Sequence, residues 1–183
     1  LSYVYEGGHQ IIKAPMAAKA DADNVLKFQC LTTILQINIP AGNAILSKIT
    51  IQSLTSAKYL AGTAQVTFSG TTPTLGAIDG DSPHSDMIEM TFGDGVSVAS
   101  GLSVFIPIPV CENGTVLRIK TFNKSNLKNA VDITVNNQTG SGFPANTIIP
   151  VNGPEVEGLE GYELKNWICS PGSGYIVLGI PPT

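Results

Sequence analysis

The chain has 183 residues, of which 43% are hydrophobic and 13% are charged, and its formal net charge is −4. This length and hydrophobic content are enough to bury a core, so a disordered chain is excluded. Its 10 Lys and Arg residues form no cluster of the kind that binds nucleic acid, and no apolar run reaches the ~20 residues of a transmembrane helix.

The spacing of the apolar residues predicts an all-β fold. Short runs rich in Ile, Val and Thr recur at roughly ten-residue intervals, and turns that contain Gly, Pro and Asn separate them. No long run has helical periodicity. This pattern is typical of a two-layer antiparallel β-sandwich, for which we predict about 7–9 strands.

The chain begins with a strand-like run around Tyr3 and Tyr5, which Gly7 and Gly8 end. Residues 25–39 then form a long strand-like run whose apolar side chains occupy even positions at first and odd positions later. Because side chains alternate between the two faces of a strand, this run changes its buried face midway. Such a change requires a bulge or a corner, where a strand passes from one sheet to the other.

The next apolar runs alternate with polar residues. Residues 45–52 and 64–68 are therefore predicted to be half-buried antiparallel strands. Residues 69–86, rich in Gly, Thr, Pro, Asp and Ser, predict a long loop that is available to a partner. Residues 87–92 predict another strand, and Gly93-Asp94-Gly95 supplies the residues of a hairpin turn.

Residues 102–110 form an apolar run that carries Pro107 and Pro109. Because proline has no backbone N–H to donate, this strand is predicted to lie at a sheet edge or to leave the sheet at Pro107. The remaining predicted strands cover 116–122, 130–135 and 148–151. The predicted interlayer core consists of inward-facing side chains from these strands: Leu26, Phe28, Ile37, Ile49, Ile51, Val66, Phe68, Ile88, Met90, Leu117 and Ile119.

No residue pattern indicates catalysis or a bound cofactor. Neither His9 nor His84 lies in the Ser, Cys or Asp pattern of a catalytic triad. The acidic residues of loop 79–86 crowd around His84 but lack the spacing of a calcium loop, so we interpret the loop as solvated. Three isolated cysteines are interpreted as small buried hydrophobes, with one disulfide as the alternative, and not as metal ligands: Cys30, Cys111 and Cys169. We therefore predict a protein that is not an enzyme and holds no metal.

The order of the segments between residues 15 and 151 resembles the fimbrillin-type surface proteins of the Bacteroidales. The segments that carry the resemblance are PMAA, LKFQCLTTILQINI, SKITIQSL, LAGTAQVTF, MIEMTFGDG, LSVFIPIPV, GTVLRIKTF and ANTIIPV. The resemblance implies a Greek-key, transthyretin-like β-sandwich domain over residues 25–151. An extended segment over 1–24 would precede it, and an extension over 152–183 that does not match the family would follow it.

The resemblance also implies a function. Proteins of this family are structural subunits (pilins) or adhesins of bacterial fimbriae, so the expected location is extracellular, on the bacterial cell surface or outer membrane. The expected partners are identical or related pilin subunits, with host or bacterial surface glycans or proteins as adhesion targets. Subunits of this family polymerise by strand exchange, in which a protease removes an N-terminal strand and the exposed groove accepts a strand from the next subunit.

The C-terminal residues 175–180 form the candidate donor strand. They follow the flexible Ser170–Gly174 break, and the chain starts at Leu1 without a leader, which is the expectation for a processed subunit. The possible donor-strand residues are Tyr175, Ile176, Val177, Leu178 and Ile180. An apolar strand must be covered, so this strand either closes its own domain or enters a neighbouring subunit, with alternate side chains filling pockets there.

The alternative function is a carbohydrate-binding β-sandwich module of a secreted or surface protein. Trp167 and Tyr175 would then form an aromatic platform for a sugar ring, whereas the simpler interpretation makes them packing anchors.

Overall fold

The computed structural model describes residues 2–5, 13–135 and 142–158. These ranges contain twelve strands and no helix, so they include no helix that could cross a membrane. The strands are β1 (Ser2–Val4), β2 (Met16–Ala17), β3 (Gln29–Cys30), β4 (Thr33–Ile39), β5 (Ile45–Ser53), β6 (Ala64–Ser69), β7 (Thr72–Ile78), β8 (Met87–Ser97), β9 (Leu102–Ile108), β10 (Val116–Asn123), β11 (Lys128–Thr134) and β12 (Thr147–Asn152).

Two sheets build the body of the protein. One has five strands in the order β1-β8-β5-β10-β11, and the other has three in the order β12-β4-β9. Side chains from both sheets form one cluster of buried residues, so the all-β, sandwich-like prediction is confirmed. The strand number exceeds 7–9 because four strands form two extra ribbons, β2-β3 and β6-β7.

Alternation along the central strands produces the core. Every second residue of β4 and of β10 is buried, as expected for strands with one face on the core. On β5 and its neighbours, Ile51 pairs with both Ile88 and Ile119, which places three apolar side chains side by side on the inner face. Seven of the predicted core residues have no exposed surface: Ile37, Ile49, Ile51, Ile88, Met90, Leu117 and Ile119.

Four predicted core residues are not buried. Leu26 and Phe28 are 55% and 62% exposed, and Val66 and Phe68 are 40% and 38% exposed. The prediction is wrong because these side chains lie on or beside the two-stranded ribbons, which do not face the interlayer core. The change of face in residues 25–39 is a break between β3 and β4, and β3 pairs with β2 instead of joining a main sheet.

Two predicted turns and loops also differ. The predicted loop 69–86 contains β7, which pairs antiparallel with β6 around a turn at Gly70. The residues Gly93-Asp94-Gly95 do have positive φ at both glycines, but β8 continues through them as a bulge between its pairs with Leu46 and Lys48. A Cβ at Gly95 would lie 2.5 Å from Ile45 Cγ2, so this bulge requires glycine.

The prediction for the proline-rich strand is confirmed. β9 is an edge strand of the three-stranded sheet, where Pro107 opposes Ile34. An edge strand pairs on one side only, and proline in a sheet is confined to such positions.

Candidate functional site

The predicted donor strand 175–180 and the aromatic residues Trp167 and Tyr175 lie outside the described residues, as does His9. The surfaces that bear on strand exchange are instead the edges of the two sheets, which the structure describes.

The first edge is β8, which β1 covers. β1 is a strand of three residues that runs parallel to β8, with Tyr3 opposite Met90. The backbone N–H of Tyr5 donates to the Thr91 carbonyl at 2.9 Å, and the Tyr5 ring lies 5.2 Å from the Phe92 ring, centroid to centroid. Burial of Tyr3 raises the pKa of its phenol, so the hydroxyl stays neutral. A short ladder and two tyrosines thus hold β1 in place.

Two further edges are β11 and β12, each the last strand of its sheet. The chain that follows β12 packs against β10, the neighbour of β11. Four half-buried apolar residues face the core there, and we call them the open seam: Val131, Ile133, Ile149 and Val151. The seam is less completely covered than the centre of the core, where the side chains have no exposed surface.

Residues 153–158 cross the inner face of β10 and are held there by two polar side chains. Thr121 Oγ1 donates to the Glu155 carbonyl, and Asn123 Nδ2 donates to the Glu157 carbonyl, each at 2.7 Å. We call these two hydrogen bonds the C-terminal clamp. Val156, between the two carbonyls, is 7% exposed. The clamp fixes the position of residues 153–158 against β10.

Sequence analysis missed the clamp, although a signal was present. Thr121 and Asn123 continue the inward phase of Leu117 and Ile119, yet both are polar and both are buried. Because buried polar side chains need hydrogen-bond partners, two such residues in phase with the core indicate a chain segment packed against them.

The local environment sets the protonation of Cys111 and of the acidic loop. Cys111 is a buried free thiol, and burial raises its pKa to about 11, so it is protonated at neutral pH. In the acidic loop, Ser82 Oγ and the Asp81 N–H both donate to Asp79, and these hydrogen bonds lower the pKa of the Asp79 carboxyl. Within the described ranges, no three His, Cys, Asp or Glu side chains converge as metal ligands.

The described residues form a sandwich-like, all-β protein. Its first and last described strands, β1 and β12, each pair in parallel at a sheet edge, whereas the other described strand pairs are antiparallel. Comparison with protein-family models and with curated proteins returned no match for this chain.

Proposed function

We propose that this chain is a structural subunit or adhesin of a bacterial surface fimbrium and that it assembles by strand exchange. The observation that carries the proposal is the shortness of β1, which covers only part of the edge of β8. This strand supplies only three residue pairs, from Ser2 opposite Glu89 to Val4 opposite Thr91. The resemblance to fimbrillin-type proteins supplies the expectation that an N-terminal strand is exchanged.

A strand of six residues would cover the β8 edge more completely than β1 does. Residues 175–180 match that length, and three alternate side chains, Ile176, Leu178 and Ile180, would point to one face. One of them would replace Tyr3 above Met90, while the backbone would extend the ladder along β8. Main-chain hydrogen bonds would provide affinity, and the apolar pockets would provide specificity.

The competing position for the same strand is the open seam of its own subunit. Sixteen residues, 159–174, separate Gly158 from Tyr175, which is ample length to return along β12. In that position the strand would cover the open seam and belong to its own sandwich. The two positions make opposite predictions for a shortened chain.

The test is truncation after Gly174, with the full chain as reference. Strand exchange predicts that the shortened protein keeps its melting temperature but forms no filaments by electron microscopy. A large fall in the melting temperature would instead place residues 175–180 in the seam of their own subunit and overturn the proposed role of this strand.

A matched pair of full-length variants refines this test. Leu178→Asp places a charge on the face with Ile176 and Ile180, whereas Val177→Asp places the same charge on the opposite face. Since a buried unpaired carboxylate is costly, Leu178→Asp is expected to block filaments more strongly than Val177→Asp. Equal filament formation by both variants would contradict the proposed pocket-filling face.

A further inference from the structure

A polar cleft lies at the end of the sandwich where β5 ends and β8 begins. It has a volume of ≈ 530 Å³ and is formed by residues 53–59 together with His84, Ser85 and Asp86. A smaller cavity of ≈ 160 Å³ adjoins it and shares Ala57, Lys58 and Tyr59 with it. The larger volume lies within the range of small-molecule sites, which is about 300–1,000 Å³. We call it the loop cleft.

Contacts outside the cleft fix the side chains that line it. Gln52 Nε2 donates to Asp86 Oδ2 at 3.0 Å, which orients the carboxylate and leaves Oδ1 as an acceptor. Thr55 Oγ1 accepts from the Val116 N–H at 2.9 Å, so its hydroxyl hydrogen is left to donate. Both groups are therefore oriented before any ligand arrives.

The aromatic wall is oriented in the same way. The Tyr59 and His84 rings lie 3.8 Å apart, centroid to centroid, and Gly80 packs so closely on Tyr59 that a Cβ there would be 3.3 Å from Cε2. His84 Nδ1 is 2.8 Å from the Ser82 carbonyl, which only accepts, so Nδ1 carries the hydrogen. In the neutral ring, Nε2 is then a hydrogen-bond acceptor.

Charge and polarity restrict the ligand. The ammonium of Lys58 and the carboxylate of Asp86 have opposite charge, so the lining favours neither an anion nor a cation. No other described side chain hydrogen-bonds Ser56, Lys58 or Tyr59, so their polar groups are available as donors. The Tyr59 ring and the Ala57 methyl group add a limited apolar surface. A neutral ligand with many hydroxyl groups and one apolar face fits this combination.

We propose that the loop cleft binds a neutral saccharide of one or two rings. Asp86 Oδ1 and His84 Nε2 accept sugar hydroxyls, Thr55 and Lys58 donate to sugar oxygens, and Tyr59 contacts the C–H face of the ring. None of these residues belongs to the paired edge of β8 and β1 or to the open seam, and Trp167 is not among them. The site therefore stands whether or not the chain assembles by strand exchange.

The experiment uses the full chain with the methyl glycosides of glucose, galactose, mannose and N-acetylglucosamine. Amide chemical shifts in NMR titrations are expected to move at residues 53–59 and 84–86 with at least one glycoside. Asp86→Asn keeps the shape of the side chain but weakens an acceptor, and it is expected to reduce affinity about tenfold. Asp81→Asn, in the same loop but outside the cleft, is the matched control and is expected to bind as the original protein does.

Two results would overturn the proposal. The first is the absence of shifts at the cleft with all four glycosides. The second is binding that Trp167→Ala abolishes and Asp86→Asn leaves intact, which would assign sugar binding to the C-terminal aromatic residues. Filament formation is not part of this readout, so failure here is distinguishable from failure of the strand-exchange proposal.

Discussion

The C-terminal clamp should contribute measurably to stability. Thr121→Val replaces the hydroxyl by a methyl group of similar size, so packing is kept while the donor to the Glu155 carbonyl is lost. Thr121 has no exposed surface, so water cannot replace the lost donor from that side. The net value of one hydrogen bond and the penalty for an unpaired carbonyl together predict a loss of about 1–2 kcal/mol in the free energy of unfolding.

Asn123→Asp tests the second half of the clamp. The carboxylate can still accept from the Leu127 N–H, a contact of 3.0 Å in the structure, but it cannot donate to the Glu157 carbonyl. It also places a negative charge beside that carbonyl oxygen, so a loss of about 2 kcal/mol or more is expected at neutral pH. Lower pH should restore part of this loss, because a protonated carboxyl can donate again.

Urea unfolding followed by circular dichroism measures both effects. Thr134→Val is the matched control, since Thr134 is an exposed residue of the edge strand β11, and it should change stability by less than about 0.5 kcal/mol. If Thr121→Val is as stable as this control, the hydrogen bond to Glu155 does not hold the C-terminal segment, and the reasoning about the clamp is refuted.

Three further predictions concern other parts of the molecule. Phe28→Ala should lower the free energy of unfolding by less than about 1 kcal/mol, measured with urea, because Phe28 is 62% exposed. A loss of about 3–5 kcal/mol would contradict this, since that is the cost of removing a buried phenylalanine. Burial raises the Cys111 pKa from 9.0 to about 11. The stability that the protonated thiol contributes is therefore present below pH 9 and is lost as the pH rises toward 11. In Cys111→Val, the urea concentration at the unfolding midpoint should change less over this pH range. The hydrogen bond from Arg118 lowers the Asp132 pKa, so Arg118→Ala should raise this pKa toward 3.8 in an NMR titration, and an unchanged value would contradict the ion pair.

The alternation of apolar and polar residues identified the strands, but it did not show which of them pack into the core. Ile49 and Ile51 alternate with polar residues and are buried, whereas Val66 and Phe68 alternate in the same way and are exposed. The difference arises because the inner face of β5 packs into the core between the two main sheets, while the β6-β7 ribbon contributes no residue to that core. A period of two residues defines a face of a strand, but it does not say whether another sheet lies against that face.

The loop cleft could not be predicted from local sequence patterns, because two distant segments of the chain form it. Residues 53–59 and 84–86 are distant in the chain, and the backbone bond from the Ser53 N–H to the Asp86 carbonyl brings them together. No spacing rule connects such segments before the sheet is known. The clamp differs, because the polar residues Thr121 and Asn123 stand in phase with apolar residues on a single strand.

The parallel pairing of β1 and β12 has a consequence for the order of folding. Within the described chain, the antiparallel partners β6 and β7, and likewise β10 and β11, are joined by short turns, so they can meet early. β1 pairs with β8, and β12 pairs with β4, across most of the described chain. Closing such long loops costs more entropy, so these two strands should dock last. A molecule caught before that step would present two unpaired strand edges at once, and unpaired edges readily pair with those of another copy.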